Sequence, residues 1–256
     1  MSFAVLRYGK LKSFAKIAAT QGHNLRERPT PNADPQAKVL IIHGTGDIEG
    51  RVRAEVAKCT KPPRKDAVLA VETVLSASPE YFRPGDPLAA GKYDHERMKA
   101  WTLASLDWLK QRHGSNLVSV VLHLDEVTPH LQAIIVPLDH KADGTVSLNA
   151  KELIGGPARL RADQSGYAQS LAHLGISRGR PKAETAATHT NIKDWYEKAP
   201  KDAEKAVNSA KNEVKDLIFD PLAEHFKTLQ VRGTDIIDMD IIADADLVFG
   251  LKIFTE

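Results

Sequence analysis

One stretch, residues 117–136, constrains this chain more than any other part of it. Leu117-Val-Ser-Val-Val-Leu-His-Leu124 is apolar and β-branched, Asp125-Glu-Val-Thr-Pro129 interrupts it, and His130-Leu-Gln-Ala-Ile-Ile-Val136 is apolar again. Two such runs around a short polar break predict a β-hairpin. Residues two apart on a strand share a face, so His130 and Gln132 point the same way, and the partner strand brings His123 to that face. Asp125 and Glu126 sit in the connection at the same end. Two imidazoles, an amide oxygen and one or two carboxylates therefore converge on a small volume. A mixed nitrogen and oxygen set suits Mn²⁺ or Mg²⁺ better than a structural zinc, which prefers thiolates or a closed tetrahedron. An open coordination position would let such an ion grip a phosphate oxygen during phosphoryl transfer. Pattern alone leaves ordinary polarity around a turn as the competing explanation.

The surrounding chain alternates strand-like and helix-like segments. Phe3 to Tyr8 reads as a strand and Ser13 to Gln21 as a helix, followed by a Pro-rich loop over Arg26 to Pro35. Residues 48–58 and 66–77 read as helices, the second because Val68, Val71 and Leu75 fall on one stripe. Residues 94–112 read as a long helix whose Met98, Trp101, Leu106 and Leu109 face a core, and 150–173, apart from Gly155-Gly156-Pro157, as a further helical stretch that Gly175 ends. A helical segment is expected over 191–230. These elements predict an α+β fold, an antiparallel sheet carrying the active site with helices packed on it.

Net charge is +2, which does not by itself suggest a nucleic-acid partner, but its distribution is uneven. Residues 1–200 hold 28 Lys and Arg against 21 Asp and Glu, whereas residues 201–256 hold 7 against 12. A basic body with an acidic tail is compatible with a polyanion partner, and equally with solvated charged faces. The segments around Arg51 and Arg53, Lys61 to Arg64 and Lys65, and Arg178, Arg180 and Lys182 are the phosphate-contact candidates. Cys59 is the sole cysteine, so no internal disulfide forms. With no charged-then-apolar leader and no membrane-length apolar run, the sequence points to the cytoplasm.

The segment His123-Leu-Asp-Glu-Val-Thr-Pro-His-Leu-Gln132 resembles the metal-binding motif of the MobV (Mob/Pre) family of plasmid relaxases, in the HUH endonuclease group, where the pattern is His-x-Asp-Glu-x-x-Pro-His-x-His. Gly22-His-Asn-Leu-Arg26 is similar to that family's His-Asn-x-Arg motif, and Asn32-Ala-Asp-Pro35 to the segment that follows it. Arg64-Lys-Asp-Ala-Val68, Ser76 to Phe82, Leu153 to Pro157 and His173 to Gly175 are similar to later family segments. The resemblance covers roughly residues 1–196 and implies a relaxase domain of that extent, with an HUH-like sandwich fold. Residues 197–256 would then be a helical and acidic extension. It implies metal-dependent nicking of one strand at a plasmid origin of transfer, a covalent histidine-5′-phosphate intermediate, and religation. His23 would be the nucleophile, with Tyr8 the nearest alternative. His123, His130 and Gln132 would hold Mn²⁺ or Mg²⁺, Glu126 would be a ligand or a general base, and Arg26 would contact phosphate. The implied partners are single-stranded or hairpin origin DNA, other relaxosome or conjugation proteins, and a second copy in a homodimer. Gln132 departs from the family's last histidine. Two other readings stay open: a non-catalytic DNA-binding descendant, and a replication initiator or transposase of the same group.

Overall fold

The computed structural model describes residues 1–31, 33–34 and 39–179. Arg180, Lys182, the expected helix over 191–230 and the extension over 197–256 lie outside the described residues. The strands are β1 (Ser2–Leu11), β2 (Leu40–His43), β3 (Ala70–Ala77), β4 (Leu117–His123), β5 (His130–Ile135), β6 (Leu138–His140), β7 (Val146–Leu148) and β8 (Ile176–Arg178). The α-helices are α1 (Phe14–Asn24), α2 (Ile48–Val56), α3 (Pro79–Phe82), α4 (His95–His113), α5 (Ala150–Ile154) and α6 (Gly156–Ser170).

Six strands form one sheet in the order β2-β4-β5-β3-β1-β8, antiparallel except for the β1–β8 pair, and β6 and β7 form a separate ribbon. The hairpin seen in the sequence, β4 and β5, lies inside the sheet. Every residue of β4 is buried, because helices cover both faces. That is why β4 is continuously apolar instead of alternating. On one face, Val121 and Ile134 pack with Ile17 of α1 and with Ile48, Val52 and Val56 of α2. On the other, Leu122, Leu131 and Ile135 pack with Trp101, Leu106 and Leu109 of α4 and Tyr167 of α6. The result is the expected α+β sandwich, with a small core on one side of the sheet and a large one on the other.

Local chemistry sets the helix starts. The Ser13 hydroxyl accepts from the Lys16 amide at the start of α1, Asp47 from Gly50 at α2, and Asp94 from Arg97 at α4. Helix α4 stops at Gly114, whose φ of 51° is costly for other residues.

One helix expectation is corrected. Residues 70–77 form β3, a strand between β1 and β5, rather than the second half of a helix over 66–77. The stripe of Val68, Val71 and Leu75 fits a helix. The burial of Val71, Thr73, Leu75 and Ala77, each 2% exposed or less, has the period of two that a strand requires. Hydrogen bonding to a strand on either side overrides a marginal helical propensity. The helical stretch over 150–173 is interrupted where the sequence indicates, at Gly155 and Gly156, which separate α5 from α6. A Cβ on Gly155 would lie 2.0 Å from the Lys151 carbonyl oxygen, and Gly156 takes a φ of 82°. Among the described residues no helix is long and apolar enough to cross a membrane.

Candidate active site

The register of the hairpin places the expected residues side by side. His123 at the end of β4 is opposite His130 at the start of β5, and Val121 is opposite Gln132. Directly opposed residues share a face, so both histidines and Gln132 project onto the side of the sheet that carries α1. Helix α1 ends over this spot and brings His23, in its last turn, to the same group. The His23 and His123 ring centroids are 6.2 Å apart, and those of His123 and His130 are 4.8 Å apart. Glu126 enters from the β4–β5 connection. Its Oε1 lies 3.9 Å from His123 Nδ1 and 3.9 Å from His130 Nε2.

Each histidine has one ring nitrogen tied to a backbone carbonyl. His123 Nε2 is 3.1 Å from the Asn24 oxygen, and His130 Nδ1 is 3.0 Å from the Thr128 oxygen. Backbone carbonyls accept, so those nitrogens carry the protons, which leaves the lone pairs on His123 Nδ1, which accepts from Arg26 Nη2 at 2.9 Å, and on His130 Nε2. This tautomer control is what metal-ligating histidines generally need. Donor atoms of His123, Glu126 and His130 lie within 4.8 Å of one another. The Gln132 Oε1 adds a buried oxygen that has no hydrogen-bond partner. The set therefore fits a divalent cation: two imidazoles, one carboxylate and an unpartnered amide oxygen.

Ionisation supports this fit. Burial, with help from Arg26 and His130, pushes the His123 imidazole down to about 4, so it is neutral at ordinary pH. Burial opposes charge on Glu126, but His123, His130 and Arg26 together outweigh it and hold the carboxyl at about 2. Burial, and then Arg26, also lower His23, which keeps its imidazole neutral near pH 7.

Arg26 occupies a different place from that expected of it. Instead of extending toward a phosphate, its guanidinium turns inward. Nε and Nη2 donate to the two oxygens of Asp125 at 2.6 and 2.9 Å, and Nη2 also donates to Glu126 at 2.7 Å and to His123 Nδ1 at 2.9 Å. Nη1 donates to the His23 carbonyl oxygen at 2.8 Å. Arg26 is the one non-glycine among the described residues with positive φ, 58°, a conformation costing about 1 kcal/mol that these contacts hold in place. Asp125, with a side chain 0% exposed, is thus the partner of Arg26.

Tyr8 is placed elsewhere. Its hydroxyl donates to Asp163 of α6 at 3.1 Å, within the layer of helices on the other face of the sheet, and burial raises its pKa far above the ordinary value. It therefore lies apart from the His23, His123 and His130 cluster. The basic candidates are scattered. Arg53 is paired with Glu49 and stacked 3.8 Å over the Phe14 ring, and Arg51 is exposed on the same helix. Arg178 lies on the edge strand β8 and donates to Gln164. Lys65 is exposed beside Arg64, and Arg64 lines a cavity of about 620 Å³ together with Lys10, Lys12, Lys61 and Lys151.

Two supports of the site have no counterpart in the sequence reading. Arg83, buried, donates to the Val127 carbonyl at 2.9 Å and lies 3.3 Å from the Thr128 hydroxyl, while the Ser76 hydroxyl donates to the Pro129 carbonyl at 2.7 Å. Together they hold the connection that presents Glu126. The only sequence signal for either is its position in or directly after the segment Ser76 to Phe82.

Comparison with known proteins bears on the family and the fold. Residues 1–198 match the family described as plasmid recombination enzyme, Mob_Pre. A 65 kDa protein of Zymomonas mobilis is 36% identical over 202 residues, spanning 76% of this chain and 32% of that protein. A plasmid recombination enzyme of a Bacillus species is 27% identical over 228 residues, spanning 84% of this chain and 50% of that protein. The chain thus spans half or less of the length of these curated relatives. Among solved structures, the fold is similar to the Mn-bound MobM relaxase domain in complex with plasmid oriT DNA. The TM-score is 0.61 at 21% identity, over 76% of this chain and 98% of that one. On the match across residues 1–198, the chain belongs to the Mob_Pre family of plasmid recombination enzymes.

Proposed function

We propose that this chain is a relaxase that nicks one DNA strand at a plasmid origin of transfer, holds the cut 5′ end on His23, and rejoins it. The observation that carries this reading is the neutral His23 imidazole at the end of α1, set beside a His123–Glu126–His130 group able to hold a divalent cation. A neutral imidazole is a competent nucleophile near pH 7. As the bond from nitrogen to phosphorus forms, the bond from phosphorus to the 3′ oxygen breaks. The leaving oxygen takes a proton, and the imidazole sheds its own ring proton. The covalent intermediate conserves the bond for religation.

His123, Glu126 and His130 would hold the ion, with the Gln132 oxygen next to them. Mn²⁺ is favoured over Mg²⁺ because the set contains two imidazoles and because the similar MobM domain is Mn-bound. When bound, such an ion polarises a phosphate oxygen and offsets charge building in the transition state. Glu126 is better suited to ligand than to general base. A carboxyl held at about 2 is a poor proton acceptor, whereas its permanent charge suits a cation. Arg26 joins the end of the nucleophile's helix to the carboxylates of the β4–β5 connection and fixes their mutual distance.

The substrate would be origin DNA reaching the site as a single strand or hairpin, as the DNA-bound MobM domain suggests. The cationic cavity lies at the other end of the sheet. Leu11 and Ala70 pair at that end and Ser76 and His130 at this one, a separation on the order of 20 Å along β3. A DNA strand running from the site to the cavity would meet Lys10, Lys12, Lys61, Arg64 and Lys151 on its phosphates. A second copy in a homodimer and further relaxosome or conjugation proteins are the other partners of this reading. The intact nucleophile and cation-holding group favour catalysis over a purely DNA-binding role.

The test is nicking of a supercoiled plasmid that carries the cognate origin. Mn²⁺ should be required and EDTA should abolish cutting. Glu126→Gln should weaken Mn²⁺ binding at least about tenfold, with nicking falling in step while DNA binding is kept. Undiminished nicking in EDTA would overturn the proposal.

A further inference from the structure

The face of the sheet that carries the nucleophile is covered unevenly. Helices α1 and α2 close over β4 and β5, but of β1 and β3 only Leu11 and Ala70, at the end remote from the histidines, join that core. Register places Val5, Arg7 and Gly9 of β1 and Ser76, Val74 and Glu72 of β3 on this same face, beside His130, Gln132 and Ile134 of β5. Val5 and Val74 are half-buried and belong to neither core, and Arg7 is exposed. Among the described residues, these two strands therefore present an open floor that leads from the histidine cluster toward the cationic cavity.

Glu72 is out of place on that floor. Glutamate is depleted in strands, and this one sits half-buried in the interior strand β3. Among the described residues it makes no hydrogen bond and no ion pair. Arg7 lies diagonally across from it, opposite Val74, and does not pair with it. Burial pushes the carboxyl up, with no neighbouring cation to oppose the shift. Directly opposite on β1 is Gly9. A Cβ there would lie 3.4 Å from Glu72 Oε2, and its three nearest neighbours would all be atoms of Glu72. The absent side chain leaves space beside the carboxylate.

We propose that Glu72 reads a base: a nucleotide of the origin strand lies over β1 and β3 and donates its exocyclic amino group to the Glu72 carboxylate in the space left by Gly9. The inference rests on the relaxase reading and adds how the strand beside the cut is recognised. A carboxylate repels phosphates and accepts from amino groups, so this position selects a base and not the backbone. Cytosine, adenine and guanine carry such a group. Thymine does not, and its O4 would meet the carboxylate lone pairs. An unpaired strand leaves that edge of the base free. Arg7 stands ready for the adjoining phosphate, and Val74 gives the base an apolar neighbour. Glu72 is four residues along β3 from Ser76, the partner of His130, on the order of 13 Å. The base it reads is then within about four nucleotides of the cut phosphate.

The experiment measures, in EDTA, the affinity of the full chain for the single-stranded origin oligonucleotide. A companion set has each non-thymine position within about four nucleotides of the nick changed to thymine in turn. The wild type should lose about 10- to 100-fold at one position. Glu72→Val, which suits a strand, should erase the loss at that position and keep the penalties elsewhere. Gly9→Val, which fills the space from the opposite strand, should erase it as well. Glu72→Gln, whose amide both donates and accepts, should bind the native and thymine oligonucleotides within about threefold of each other. A wild type with no thymine-sensitive position would overturn the proposal, and so would the same penalties in Glu72→Val. A uniform loss at every position in Glu72→Val would mark a purely structural carboxylate and overturn it too. A wild type that keeps the position-specific loss but does not nick the origin would instead refute the relaxase reading and leave Glu72 as a reader of bound DNA.

Discussion

Arg26 shows how much one side chain binds together. Its donors reach the carbonyl of His23, both oxygens of Asp125, Glu126 and the ring of His123, so it links α1 to the β4–β5 connection. Its side chain is 16% exposed and that of Asp125 is 0% exposed. Removing the cation alone strands a buried carboxylate, which costs on the order of 3 kcal/mol. Arg26→Gln should therefore lower unfolding stability by about that amount in urea titration, and adding Asp125→Asn should recover part of the loss. An additive double variant would show that the pair is not coupled. The inward turn of Arg26 was not legible in the sequence, where the family resemblance implied a phosphate contact. Only the fold brings Asp125, 99 positions away, to its guanidinium. His123, His130 and Gln132 were legible because strand alternation and a short connection fix their shared face before any tertiary detail is known.

At the scale of the element, α4 carries a pH dependence independent of the active site. His113, in its last turn, is 7% exposed, has no hydrogen-bond partner on either ring nitrogen, and lies edge-on to Trp108. A helix C-terminus favours a charged histidine, but burial dominates and Arg112 adds to it, bringing the pKa down to about 4. The unfolded chain therefore takes up this proton at higher pH than the folded one. The His113 contribution is fully present above the unfolded value of about 6.5, is lost as pH falls toward 4, and is flat below that. His113→Leu should remove on the order of 3 kcal/mol of acid destabilisation between pH 6.5 and 4, read as the difference between two urea-melt series. Parallel curves would contradict this. Helices α1, α2 and α4 were legible because capping residues and spacing agreed. Strand β3 was not, since its eight residues satisfy a helical stripe and a strand alternation at once. Pairing on both edges decides between them, and no local signal carries that information.

At the scale of the whole molecule, the sheet has two chemically distinct ends, the histidine cluster at one and the cationic cavity at the other. Lys10 and Lys12 come from β1 and its end, Lys61 from a loop and Lys151 from α5, so the basic run around Lys61 and Arg64 announces only part of the groove. Replacing these four lysines by Ala should reduce the slope of log affinity against log salt by about 0.9 for each phosphate that is no longer neutralised. Cutting of saturated short substrates should be unchanged. An unaltered slope would remove the cavity from the DNA path. The account as a whole stands on His23, and a trapped intermediate reads it most directly. The full chain is incubated with Mn²⁺ and a single-stranded origin oligonucleotide, then quenched, digested and analysed by mass spectrometry for the peptide that carries the nucleotide. An acid-labile phosphoramidate on the peptide containing His23, absent in His23→Ala, is the predicted result; an adduct on a tyrosine, or the same adduct in the His23→Ala protein, would contradict it.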